Sequence, residues 1–140
     1  MREPVLPRLL TEASRSLDRE IEEGLRDRGI WELRPNQART LLLVDRTGTR
    51  LSELAQRAGV TKQRMMQVVD DLQSVGCVRR TPDPGDARAK VVRLTAKGLR
   101  HRAEARRTML AVEARVRRQL GGRRYDQLAM LLEEFSQAEE

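Results

Sequence analysis

The chain has 140 residues, 39% hydrophobic and 35% charged, with a net charge of +7 and three aromatics, Trp31, Tyr125 and Phe135. That length suits one domain, with a core of Leu, Val, Ala and Met, and so few rings argue against single-strand binding by rows of stacked aromatics. One cysteine, Cys77, permits no internal disulfide, and no apolar run approaches a membrane span; a cytoplasmic protein with no signal peptide and no membrane partner is expected.

Residues 7–28 read as a first helix, because Leu10, Leu17, Ile21 and Leu25 share one face. Gly29 suits its C-terminal stop. A second helix opens at Pro35, carries Ala38, Leu41, Leu42 and Val44, and is expected to end near Thr47-Gly48. Residues 49–51 allow a very short strand. Leu51, Leu54, Ala55 and Ala58 then give a short helix an i, i+3, i+4, i+7 stripe, and Gly59-Val60 is a turn. Thr61 is a good N-cap for the next helix, which runs to about Val75 on the buried face of Met65, Val68, Val69 and Leu72, and Gly76 ends it.

Strands are expected at residues 78–81 and 90–94, with Val92 and Leu94 on one face and Val91 and Arg93 on the other. Pro82, Pro84 and Gly85 mark a loop over residues 81–88. Thr95 caps a long helix to about Leu120, Gly121-Gly122 breaks it, and a last helix from Arg123 carries Tyr125, Leu128, Leu131, Leu132 and Phe135. The fold class is therefore mainly α: a helix-turn-helix with a small β-hairpin wing, flanked by N- and C-terminal helices.

The charge is uneven. Residues 61–100 carry net +5, residues 101–124 net +6 and residues 125–140 net −5. A basic middle attracts phosphate, although an arginine-rich surface alone would look the same. The helix-turn-helix points to double-stranded DNA, since a helix N-terminus fits the major groove. Lys62, Gln63, Arg64 and Gln67 are its exposed residues; Arg reads guanine and Gln reads adenine in bidentate fashion. Thr61 is a phosphate contact or only a cap. Asp70 and Asp71 should face away from a duplex. At the hairpin tip, Asp86 is placed to hold the Arg88 side chain in one rotamer for entry into a minor groove, and Lys90 behind it is placed for the backbone.

One histidine and one cysteine with no neighbouring base supply no catalytic constellation, and no glycine-rich phosphate loop or metal-ligand spacing occurs. No enzyme, metal or cofactor is expected. Cys77 reads as a small buried hydrophobe, His101 as a surface residue, and Trp31 as a core or hinge residue with a pocket lining the rarer use.

Several segments together resemble the MarR family of bacterial transcription regulators. They are Leu33-Arg34-Pro35-Asn36-Gln37, Leu51-Ser52-Glu53-Leu54-Ala55, Gly59-Val60-Thr61-Lys62-Gln63, Val69-Asp70-Asp71-Leu72, Gly76-Cys77-Val78-Arg79-Arg80 and Asp83-Pro84. Above all the run from Asp86 to Gly98 matches the family's wing signature, an Asp and an Arg followed by Leu-Thr and a Gly. The resemblance spans residues 33–98. It implies one MarR-like domain over residues 1–140, with 33–98 as the DNA-binding lobe and 1–32 and 99–140 as dimerisation helices. It assigns Leu10, Leu17, Ile21, Leu25, Tyr125, Leu128, Leu132 and Phe135 to a homodimer interface, the alternative being that they pack within one chain. It also implies a repressor released by a small-molecule effector, and a near-palindromic operator with half-sites about one helical turn apart. Two other readings stay open from the residues alone: a non-specific DNA-coating protein, and a winged-helix module that binds protein.

Overall fold

The computed structural model describes residues 2–137, so both ends of the expected 1–140 domain, Met1 and residues 138–140, lie outside the described residues. The elements are α1 (Leu6–Asp27), α2 (Pro35–Leu43), β1 (Thr49–Arg50), α3 (Leu51–Ala58), α4 (Lys62–Ser74), β2 (Val78–Asp83), β3 (Asp86–Leu94), α5 (Ala96–Leu120) and α6 (Gly122–Gln137). They form two compact units, one up to Thr108 and one from Met109.

The first unit holds the core. Leu25, Leu41, Val44, Leu54, Met65, Val69, Leu72, Val78 and Val92 are all buried there. The three strands form an antiparallel sheet in the order β1-β3-β2. Three sequence expectations need correction in this unit. Helix α2 stops at Leu43, short of Thr47-Gly48. Asp45 to Thr49 instead form a turn in which the Gly48 N–H donates to the Asp45 carbonyl and the Asp45 N–H to Thr49 Oγ1, each at 2.9 Å, with Gly48 at φ 96°. The expected loop over residues 81–88 is mostly ladder: Thr81 pairs with Val91 and Pro82 with Lys90, leaving Pro84-Gly85 as the bend. Pro82 is tolerated because β2 is an edge strand, where a missing N–H breaks no second ladder. Val91 and Val92 point to opposite faces of the sheet yet both are buried, and Val91 lies against Gly48 of the Asp45–Thr49 turn.

The third correction concerns the α1 stripe and the isolated residues. Ile21 and Leu25, assigned above to a dimer interface, are buried within this one chain. Leu6, Leu9, Leu10 and Leu17 of the same helix remain exposed. Trp31 is 72% exposed rather than in the core, with the Arg26 guanidinium 5.6 Å from its ring centroid. His101 is not a surface residue but largely covered: its Nε2 lies 2.9 Å from Glu32 Oε1, and Lys97 Nζ lies 3.1 Å from the same oxygen. This pair on α5 grips the α1–α2 connection. The His101 and Lys97 bonds hold the Glu32 carboxyl at about 2, against an ordinary 4.5.

Cys77 is buried as expected, and burial pushes its thiol pKa up. Its carbonyl is a junction. It accepts the Thr95 N–H at 3.0 Å, and a Cβ built on Gly98 would stand 1.9 Å from that oxygen. Thr95 Oγ1 caps α5 by accepting the Gly98 N–H at 3.0 Å and itself donates to the Gly76 carbonyl.

The second unit is a helical hairpin of the end of α5 and all of α6, with Gly121 at φ 84° between them. Arg117 ties it together, pairing with Asp126 at 2.9 Å and standing 5.3 Å from the Tyr125 ring centroid. None of its described residues is buried, and Leu110, Leu128, Met130, Leu131, Leu132 and Phe135 are all exposed.

Two outcomes test this account. Helix propensity alone makes Gly98→Ala stabilising by about 1 kcal/mol, whereas the clash with Cys77 makes it destabilising by about 3 kcal/mol or more. The urea midpoint decides by its sign, with Gly85→Ala, whose Cβ meets nothing nearer than 3.5 Å, as a near-neutral control. Glu32 contributes stability that is complete above its unfolded value of 4.5 and lost as pH falls through the folded value of about 2. Denaturation midpoints measured from about pH 5 down to about pH 3 should therefore fall more steeply for the parent chain than for Glu32→Gln.

Candidate nucleic-acid interface

The reading head is built by two short helices whose contact leaves one polar face outward. Leu51, Leu54 and Ala55 of α3 are buried, and so are Met65, Val68, Val69 and Leu72 of α4. Gly59 sits in the left-handed region at φ 68°, which lets the chain reverse, and the Val60 N–H closes the turn on the Ala55 carbonyl at 3.1 Å. Thr61 is the N-cap of α4, and its Oγ1 accepts the Arg64 N–H at 3.1 Å. Its hydroxyl is thus already engaged in holding the helix start. Lys62, Gln63, Arg64 and Gln67 are exposed on the first turns, as their pattern predicted.

The wing is held by its own carboxylates. Asp83 Oδ1 accepts the Gly85 N–H at 2.8 Å and Oδ2 pairs with Arg50 Nε. The Gly85 N–H, helped by Arg50, keeps the Asp83 carboxyl below the ordinary carboxylate range. Asp86 works differently from the sequence expectation. Its Oδ1 accepts the backbone N–H of Arg88 at 3.0 Å, so it fixes the tip backbone and not the guanidinium. Arg88 and Lys90 are exposed.

Helix α4 and the wing flank a cleft of about 250 Å³ lined by Lys62 and Met66 on one side, Arg88, Ala89 and Lys90 on the other, and Arg50 to Ser52 between. No acid lines it. The structure therefore brings Lys62, Arg88 and Lys90 together and adds Arg50, which sequence reasoning missed. Its only signal was its place directly before α3. Arg64 and Gln67 face a second, polar cleft of about 470 Å³ with Arg34, Asn36 and Gln37. Gln63 and Thr61 line neither cleft.

Asp70 lines neither cleft, as expected, whereas Asp71, expected to face away as well, lines the polar cleft beside Arg64 and Gln67. Asp70 Oδ1 pairs with Arg80, and Asp71 Oδ2 accepts Gln37 Nε2 at 3.3 Å. Among the described residues no three His, Cys, Asp or Glu side chains group as metal ligands, and no helix is long and apolar enough to cross a membrane.

Residues 31–89 match the model of the MarR family. No curated protein matches the sequence. Among solved structures, the transcriptional regulator PA4135 is 26% identical with a TM-score of 0.78, covering 96% of this chain and 98% of its own. MepR of S. aureus, solved as a DNA complex, is 17% identical with a TM-score of 0.84 over 97% and 99% of the two chains. A mutant MarR of E. coli complexed with operator DNA is 23% identical with a TM-score of 0.81 over 93% and 92%. The expected winged-helix fold is the one this chain shares with these structures, and the match to the MarR family model covers its residues 31–89.

Proposed function

We propose that this protein is a sequence-specific double-stranded DNA-binding regulator, acting as a homodimeric repressor that a small molecule releases. The observation that carries this reading is the acid-free cleft between α4 and the wing, where Lys62 of α4, Arg50 of β1 and Arg88 and Lys90 of β3 present cations at one face. That spacing suits a helix N-terminus in a major groove with a wing tip over the adjoining minor groove. DNA-bound MepR and MarR share the fold. Arg64 and Gln67 supply the base-reading chemistry, and Lys62, Lys90 and Arg50 the phosphate contacts. The polar cleft beside Arg64 and Gln67 is of small-molecule size, which supports effector control at the same helix.

The dimer reading rests on the second unit. A helical hairpin with no buried residue among those described, and with six exposed large apolar side chains, has no core of its own. A second copy related by a two-fold axis would cover Leu128, Leu132 and Phe135, and the exposed Leu10 and Leu17 of α1. The same symmetry calls for a near-palindromic operator.

Fluorescence anisotropy of labelled duplexes tests the DNA reading. A native intergenic duplex next to the gene should bind about 10³-fold or more tightly than its shuffled counterpart, and affinity should fall steeply with salt. Arg64→Ala should flatten discrimination at particular base pairs, while Lys90→Ala should weaken every duplex alike. Uniform losses in both variants would remove base reading from Arg64. For the dimer, sedimentation should show two copies in the parent chain and one in Leu132→Asp/Phe135→Asp, with operator affinity dropping about 10²-fold as the second head is lost. A monomeric parent chain that still binds its operator tightly would refute the symmetric arrangement.

A further inference from the structure

Arg80 lies on β2, and its guanidinium binds three successive turns of one face of α4. Nη2 donates to the Met66 carbonyl at 3.2 Å and to Asp70 Oδ1, and Nη1 donates to Gln73 Oε1 at 3.3 Å. The side chain is about three-quarters covered. A planar guanidinium with fixed donors, engaged at residues 66, 70 and 73, leaves strand and helix one relative placement, which a flexible ammonium could not impose. The opposite side of the wing is pinned as well. Arg50 Nε binds Asp83, and Arg93 reaches Thr81 Oγ1 at 2.9 Å and the Thr47 carbonyl at 2.7 Å. The next acid of α4, Asp71, holds α2 through Gln37, whose Oε1 in turn accepts the Arg34 N–H at 2.9 Å.

We propose that Asp70 and Arg80 are positioning residues for DNA recognition: their contact sets the distance and angle between the reading turn of α4 and the wing tip, so that Arg64 and Arg88 arrive in two grooves at once. This rests on the DNA-binding reading above. Neither residue lines the cleft between helix and wing, and the Asp70 carboxylate carries the wrong sign to touch phosphate. Their effect on binding therefore comes through geometry. A wing free to shift about residues 75–77, which join α4 to β2, must be ordered at each encounter, and that ordering lowers affinity for the one sequence that needs both contacts. Duplexes held by charge alone need no fixed spacing and lose little.

Asp70→Asn separates this from simple electrostatics. Removing a negative charge beside a polyanion should tighten binding to every duplex if charge alone acts. If Asp70 positions the wing, affinity for the native operator should fall about tenfold while the shuffled duplex binds as well or better. Arg80→Lys, which keeps the charge and loses the fork, should move the same way. The second measurement is non-additivity. Arg80 and Arg88 are separate positions on the wing, so independent effects would multiply. Here Arg88→Ala should cost about tenfold in the parent chain but less than about threefold in Arg80→Lys, because the unclamped wing no longer delivers its arginine. Circular dichroism and the urea midpoint of each variant confirm a folded head. Operator binding by Asp70→Asn as tight as the parent's, or Arg80 and Arg88 losses that multiply, overturns the positioning role. If instead Arg64→Ala and Arg88→Ala leave operator binding unchanged in the parent chain, the DNA-binding reading itself is what fails.

Discussion

The close approach of α5 to the carbonyl of Cys77 is the constraint on which the reading head depends. At one point the chain must end α4, begin β2, finish β3 and start α5. It does so by stacking the first turn of α5 directly on a backbone oxygen. Thr95 supplies an N–H to that oxygen and a hydroxyl to the carbonyl before it, while Gly98 has no Cβ to collide with it. A side chain at residue 98 would push α5 off the junction and pull the base of the wing with it. The Leu94-Thr95 pair followed by Gly98 in the wing signature is therefore one physical device: strand end, cap, and the space for a helix to sit on a carbonyl.

Legibility in the sequence follows the range of the interactions. The helix-turn-helix was readable because its marks are local. Gly59 needs a positive φ, Thr61 caps the helix three residues on, and the apolar stripes repeat within one or two turns. The placement of Asp70 outside both clefts was readable from charge alone, and that of Asp71 was not. Residues whose roles rest on distant partners were not. Arg50 meets Asp83 across 33 positions and His101 meets Glu32 across 69. Pro82 read as a strand breaker because the sequence does not say which strand lies at the sheet edge. Ile21 and Leu25 share a periodicity with Leu10 and Leu17, yet only the first two fall where α2 and the rest of the first unit cover them. Periodicity gives a face; it does not say how far along the helix the neighbour extends.

The two units solve the burial problem differently. Up to Thr108, aliphatic side chains from helices and strands close a core without help. Among the described residues from Met109 onward, apolar side chains of sufficient size occur and none is buried, and Arg117 bridges Asp126 and the Tyr125 ring across the hairpin. Layered packing requires two faces. If a second copy supplies the other, as proposed above, the stability of this segment rises with protein concentration.

The same economy governs charge in the head. Residues 61–100 contain four acids, Asp70, Asp71, Asp83 and Asp86. Each is engaged within the head: with Arg80, with Gln37, with Arg50 and the Gly85 N–H, and with the Arg88 N–H. The partners are the wing strand, the neighbouring helix and the tip backbone, so the carboxylates act as internal fasteners. Lys62, Arg64, Arg88 and Lys90 have no acidic partner among the described residues and stay exposed. A head of net +5 could have scattered its acids over the surface, where they would cancel the field that draws phosphate. Engaging all four within the head does two jobs with one set of residues: Asp70 ties the helix to the wing strand, and the cleft between helix and wing is left without an acid.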